Sequence, residues 1–193
     1  HVDDVIHSAA SDPIYRKFLV TMQKKFPLKD LGRPQKFLGL YFENIPKGVR
    51  LHLEPYIEEL LERFHLTNLP IAHAPAPTNR LIKAGKPVTG EPKKVYRAML
   101  GAVLWIAVVL RGPDIGFSVI QCARFCAEPT EEHWKALLQI FAYLKGTANF
   151  GLDYVRTRDV EKLRLKVYVD ACWASADDRF SEGGHLVFGM GGV

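Results

Sequence analysis

Cysteine is scarce in this chain, with only Cys122, Cys126 and Cys172 among 193 residues. None of the three forms a CxxC pair, so a disulfide framework is excluded and a reducing compartment is expected, cytoplasmic or nuclear. Cys122 and Cys126 lie one helical turn apart. No His or Asp completes a second pair at zinc spacing, so they read as buried apolar side chains rather than ligands. There is no secretory signal. The longest apolar run, "MLGAVLWIAVVL" from Met99 to Leu110, falls short of the roughly 20 residues that a membrane span needs and reads as a buried helix. No internal repeat and no low-complexity tract occurs. Charge of neither sign dominates: 26 Lys and Arg face 21 Asp and Glu, a formal charge of +5. That excess fits a polyanionic partner without establishing one.

With 48% hydrophobic and 24% charged residues the composition is globular, and the length suffices for one or two domains. The chain opens on His1 rather than Met and closes on "HLVFGMGGV", where a strand and turn are in progress. Both ends therefore suggest a piece of a longer polypeptide.

Val2 to Ala9 predicts a turn and a strand. "SDPIYRKFLVTMQKKF" predicts a helix: Asp12 suits the N-cap, Pro13 the first helical position, and Ile14, Phe18, Met22 and Phe26 recur every four residues up to Pro27. "KFLGLYFENIPKGVRLHLE" predicts a hairpin turned at Pro46 and Gly48, and "PYIEELLERFHL" a helix with Ile57, Leu60, Leu61 and Phe64 on one side. The next stretch, residues 67–94, holds five prolines and two glycines and reads as a linker or an extended surface segment. Three helices are expected after it, from about Val95 to Leu110, from Gly112-Pro113 to Cys126, and from Pro129-Thr130 to Gly146. In the third, Glu131 and Glu132 favour the first turn and Trp134, Leu137, Leu138, Phe141 and Leu144 form the apolar stripe. His133 is expected at the surface. "FGLDYV", "LRLKVYVDACWA" and "GGHLVFGM" read as strands. The order of elements gives an α+β chain with at least two units.

Asp3 and Asp4, adjacent in a turn beside apolar residues, are on spacing alone either ordinary turn residues or hard oxygen donors suited to magnesium. Phosphoryl transfer uses two such ions about 3.5–4 Å apart. Gly189-x-Gly191-Gly192 is too short a match to a phosphate loop and has no helix after it, so it reads as a hairpin turn. No Ser-His-Asp or Cys-His arrangement follows from residue order. Lys83, Lys86, Lys93, Lys94 and Arg97 cluster around the proline-rich stretch. They are either a solvated run or phosphate contacts that bind without sequence preference.

Residue types beyond the carboxylate pair narrow the reading. "HVDD" with "VI", "FPLKDLGRPQKFLGLYFE", "YIEELLERFHL", "YRAMLGAVLWIA", "PDIGFSV", "ARFCAEPTEEHWKAL", "YLKGTANFGLDY" and "YVDACWASADDRFSEGG" occur in this order. The series resembles the reverse transcriptase of copia-type long-terminal-repeat retrotransposons over nearly the whole chain. The resemblance implies four units: residues 1–66 as the C-terminal part of a polymerase palm, 67–94 as a linker, 95–156 as thumb and connection, and 163–193 as the start of an RNase H-like sheet. Within the first, Pro27 to Leu66 would hold the hairpin that grips the primer. It also implies that Asp3 and Asp4 are magnesium-binding catalytic carboxylates and that Asp170 is the first catalytic and metal-binding Asp of RNase H. The implied partners are an RNA/DNA template–primer duplex and other Pol polyprotein segments, with no membrane.

The chain departs from that pattern at three places. His1 stands where the family has an aromatic residue, Cys172 where a second Asp is frequent, and Gly112 interrupts what is usually Arg-Pro-Asp-Ile. A polymerase site also needs a third carboxylate, and RNase H needs several converging on Asp170; Asp177, Asp178 and Glu182 read as a polar loop. This polypeptide alone is therefore expected to lack turnover. The alternative is a non-catalytic nucleic-acid-binding remnant of a retroelement. A free-standing nuclease centred on Asp170 would require carboxylates that residue order does not supply.

Overall fold

A computed structural model describes residues 5–76, 85–155, 165–173 and 181–189. Its elements in chain order are α1 (Asp12–Gln23), β1 (Lys36–Phe37), β2 (Leu40–Ile45), β3 (Gly48–His52), α2 (Glu54–Arg63), α3 (Gly90–Ile106), a π turn (Ala107–Arg111), α4 (Gly112–Ala123), α5 (Glu131–Gly146), β4 (Gly151–Val155), β5 (Lys166–Cys172) and β6 (Glu182–Phe188). The mixture of helices with two antiparallel sheets is the α+β class expected. Residues 5–9 form no strand, contrary to the reading of Val2 to Ala9. The pattern V-I-H-S-A gives them no alternation, no strand pairs with them among the described residues, and Val5 is 71% exposed.

The first sheet runs β1-β2-β3-β4. β2 and β3 form the expected hairpin, with Phe42 opposite Leu51 and Glu43 opposite Arg50. β4 then joins β3 across about a hundred residues of chain, pairing Leu51 with Leu152 and Arg50 with Asp153. Alternation sends Leu51 and Leu152 to the face that meets the helices, where they pack with Leu40 on the core. Arg50 and Asp153 share the other face. There the guanidinium donates from Nε and Nη2 to the two carboxylate oxygens at 2.6 and 2.9 Å. That face stays partly wet, with both side chains of the pair more than a third exposed.

α2 starts with Pro55 in its first turn and buries Ile57, Leu60 and Leu61. It ends where His65 adopts φ +57°, so that the Leu66 N–H donates back to the Leu61 carbonyl at 2.7 Å. The chain then runs extended over α5. Lys145 donates to the Thr67 and Leu69 carbonyls, and the Ala72 N–H donates to the Ala142 carbonyl. At the far end of the proline-rich stretch, the Val88 N–H donates to the Pro129 carbonyl and the Glu131 N–H to the Lys86 carbonyl. The described ends of this segment are thus fastened to the N- and C-terminal halves of α5. Elements on both sides of it share one core, from Leu53, Ile57 and Leu60 to Tyr96, Val103, Leu137 and Leu144.

The segment Gly90–Ala123 is helical throughout and apolar enough to cross a membrane by length and composition. Its geometry shows another use. Residues 96 and 122 would lie about 39 Å apart in a straight helix, yet Tyr96 Oη donates to the Cys122 carbonyl at 2.9 Å. The helix doubles back at the π turn. Pro113 has no N–H to offer and stands in the first turn of α4. Gly112 ahead of it leaves room for the Ala107 carbonyl, 3.0 Å from where a Cβ would be. The break expected at Gly112-Pro113 is therefore a corner without a loop.

α5 carries a capping box: the Thr130 N–H donates to His133 Nδ1 at 3.0 Å. His133 is fully buried, not at the surface as expected, and its ring stacks on Phe125 at 4.0 Å. The cap and the stack are what turn this histidine inward. Cys122 is buried as expected and Cys126 is half-buried.

Candidate functional site

Asp3 and Asp4 lie outside the described residues, as do Asp177, Asp178 and Lys83. Asp170 stands on β5 opposite Gly184. It is exposed, and its Oδ1 accepts the N–H of Ala171 at 2.9 Å. Glu182 lies two register steps away, opposite Cys172. Among the described residues no group of three His, Cys, Asp or Glu is placed to share a metal.

The cations around the proline-rich stretch are largely engaged within the chain. Lys86 faces Glu131 at 3.7 Å, Lys94 pairs with Glu91 at 2.9 Å, and Arg97 Nε donates to the Cys126 carbonyl at 3.1 Å. Lys93 is exposed. A different basic stretch escapes a motif search and shows only when charge is summed along the chain. Between Asp12 and Lys36 there are seven Lys and Arg against two Asp, a balance of +5 that equals the charge of the whole protein.

The β1–β2 connection is a two-residue turn in which Leu38 has φ +49° and Gly39 φ +84°. Gly39 abuts Trp105 of α3, whose ring lies 2.9 Å from where a Cβ would be. Trp105 is itself braced edge-on by Tyr56 of α2, with ring centroids 4.8 Å apart. The turn thus rests on the helices while Leu38, 61% exposed, forms its tip. Beside it Lys36 lies over the Tyr41 ring at 4.8 Å, and Tyr41 neighbours His52 at 5.7 Å.

A second cluster that residue order did not reveal sits at the helical corner. Arg111 is 4% exposed and pairs with Asp114 one turn on. Its Nη1 and Nη2 donate to the carbonyl and hydroxyl of Thr147 at 2.9 Å, capping the end of α5. Tyr143 Oη donates to Asp114 at 3.3 Å. Burial, and then the Asp114 charge, raise the Tyr143 hydroxyl above its ordinary pKa. Gly112 lies between Arg111 and Asp114 in sequence, and the first turn of α4 keeps Arg111, its N-cap, within reach of Asp114.

Residues 1–77 match the family model described as reverse transcriptase (RNA-dependent DNA polymerase). Over 97% of its length the chain is 32% identical to the retrovirus-related Pol polyprotein from transposon RE1 of Arabidopsis thaliana. Over its full length it is 34% identical to that from transposon TNT 1-94 of Nicotiana tabacum. A putative transposon Ty5-1 protein of Saccharomyces cerevisiae is 31% identical over 96% of the chain and 60% of its own length. The chain spans 13% and 15% of the first two relatives. No solved structure matches. The chain is thus reverse transcriptase-like. Over nearly its whole length it is similar to the retrovirus-related Pol polyproteins of plant transposons.

Proposed function

We propose that this chain serves RNA-directed DNA synthesis by a retrotransposon Pol polyprotein, and that its own part is to grip the RNA/DNA template–primer. The observation that carries the reading is the reverse transcriptase match over residues 1–77, which contains both the Asp3–Asp4 pair and the β1–β2 hairpin. The hairpin supports it physically. A leucine held at positive φ costs about 1–3 kcal/mol, and the Trp105 buttress keeps it there, so the fold spends stability to present an apolar tip. Lys36 stands directly before that turn.

Aspartate oxygens are the donors that magnesium takes. Asp3 and Asp4 would hold it at the polymerase centre, and Asp170 would hold it in an RNase H-like unit. The ion supplies charge neutralisation at the transferring phosphoryl group. One adjacent pair supplies a single side of such a nest, so this polypeptide alone is proposed to bind a hybrid without extending a primer. The palm, linker, thumb-connection and RNase H-like limits given above remain part of this proposal.

The test is anisotropy of a labelled RNA/DNA hybrid titrated with the chain, together with a primer-extension assay in magnesium. Binding in the micromolar range that weakens with salt, as sequence-independent contacts do, and no extension are the expected results. Absence of binding overturns the grip. Extension abolished by Asp3→Ala overturns the claim that turnover is lacking.

A further inference from the structure

We infer that α1 and the loop that follows it form a cationic strip that holds the sugar–phosphate backbone of the duplex. The inference rests on the nucleic-acid reading above and assigns it a surface. On α1 and its end the cations are Arg16, Lys17, Lys24 and Lys25; on the loop they are Lys29, Arg33 and Lys36. All seven are exposed.

Several cations outside the strip are already used within the fold. In the helical body Arg50, Arg111, Lys86 and Lys94 face carboxylates, and Lys145 is committed to backbone carbonyls. Among the described residues no carboxylate pairs with any of the seven. The two acids in the stretch are occupied in other ways. Asp12 lies in the first turn of α1, where the helix dipole favours a negative charge. Asp30 accepts the Gly32 N–H at 2.9 Å, and hydrogen bonds from Tyr15 and then from Gly32 lower its pKa. The described residues give these cations no carboxylate partner, so an external polyanion is the partner they suit.

Their placement selects the polyanion. At 100° per residue Arg16 falls on the side of α1 opposite Ile14, Phe18 and Met22, while Lys17 and the C-cap Lys24 fall on its flank. That pattern alone would also suit an anionic bilayer. The charges continue, however, through an extended loop bounded by Pro27 and Pro34, where no amphipathic face exists to insert, and they end at the β1–β2 hairpin. A track of point charges leading to an apolar tip fits a strand of phosphates, spaced regularly and read without sequence preference.

The experiment uses the whole chain, a fluorescein-labelled RNA/DNA hybrid, and salt between about 50 and 200 mM. Replacing Lys24, Lys25, Lys29 and Arg33 together with Gln is expected to weaken binding about tenfold or more. It should also flatten the slope of log affinity against log salt by roughly 3–4, near 0.9 for each phosphate no longer neutralised. An unchanged circular dichroism melt shows that the variant folds. Replacing Lys86, Lys93, Lys94 and Arg97 with Gln is expected to cost less. Binding that survives the first set unchanged, or falls further with the second, overturns the strip while leaving the nucleic-acid reading intact. No binding by the unsubstituted chain overturns that reading and the strip with it. Transfer of the chain to phosphatidylserine vesicles in preference to the hybrid also overturns the strip.

Discussion

Two regions of this protein are written in similar residues and end in different states. The helical body, from β1 to β4, buries Leu53, Ile57, Val103, Ile106, Leu137 and Leu144 to 1% exposure or less. The β5–β6 ribbon is as rich in apolar residues, yet Val167, Tyr168 and Val169 are 56%, 62% and 75% exposed. These three are successive along β5, so both faces of the ribbon are open. None of its described side chains enters the core cluster or the layer packed on it. The difference teaches that alternation fixes a strand, whereas burial needs a second layer. β3 has that layer in the helical core against which Leu51 packs; among the described residues β5 has only β6. Each buried Leu or Ile gains about 1.5–3 kcal/mol over an exposed one, so cohesion belongs to the body.

The strongest way to break this contrast is at the helical corner. Arg111→Ala leaves Asp114 without its partner and Thr147 without its cap. Removing one member of a buried pair costs about 3–5 kcal/mol. The lower end is expected, because Asp114 keeps 27% of its side-chain surface in water. Val169→Ala in the ribbon is expected to stay within about 0.5 kcal/mol, as exposed substitutions do. Urea unfolding followed by the far-ultraviolet circular dichroism of the helices measures both. Equal costs would show that the ribbon shares the body's cooperativity.

Which parts of this were legible in the sequence follows from how far apart the interacting residues are. The β2–β3 hairpin and α2 were legible because turn residues and apolar spacing lie within twenty residues of each other. α3 begins at Gly90, before the expected Val95, because Thr89, Gly90 and Pro92 are poor propensity signals although Pro92 is tolerated in a first turn. The pairing of β3 with β4 was not legible, since nothing local in "GLDYV" names Leu51 as a neighbour. Gly112-Pro113 signalled a break correctly, but a π turn and a loop share that signature. His133 was misplaced because its polarity was weighed without the Thr130 cap. The Asp3–Asp4 reading rests on resemblance and falls outside the described residues, whereas Arg111 was hidden, its partners being split between positions 114 and 147. The strip from Arg16 to Lys36 was hidden because each charge is ordinary and only their sum is not.

A smaller effect sharpens the picture inside the body. Burial pushes the Cys122 thiol up to about 12, so at neutral pH it is neutral and shielded, while Cys126 is half-buried. A pKa raised on folding means stability that is complete below the unfolded thiol value, near 8.5, and lost as pH climbs toward 12. Iodoacetamide at mildly alkaline pH is therefore expected to label Cys126 readily and Cys122 only at the rate at which α3 and α4 separate. Peptide mass spectrometry distinguishes the two sites. Matching rates without denaturant would mean that the corner opens far more often than its packing implies.

The smallest effect is expected at the ion pair that ties β4 to β3. Hydrogen bonds from Arg50, reinforced by its charge, lower the Asp153 carboxyl below the usual range. A pKa depressed on folding gives stability that is present above the unfolded value, about 3.9, and that disappears as pH falls through the lower folded value. Both side chains are more than a third exposed, so water and salt screen the pair and the effect is small. Thermal melts of the chain should be level from neutral pH to about 4 and fall below it, with Asp153→Asn losing part of that acid decline while its neutral-pH melt drops slightly. High salt should shrink the difference between the two proteins. If Asp153→Asn leaves the acid decline untouched, the β3–β4 seam is held by Leu51 against Leu152 and by the ladder alone. The closure of the sheet over a hundred residues would then be a product of the core and not of its one charged clasp.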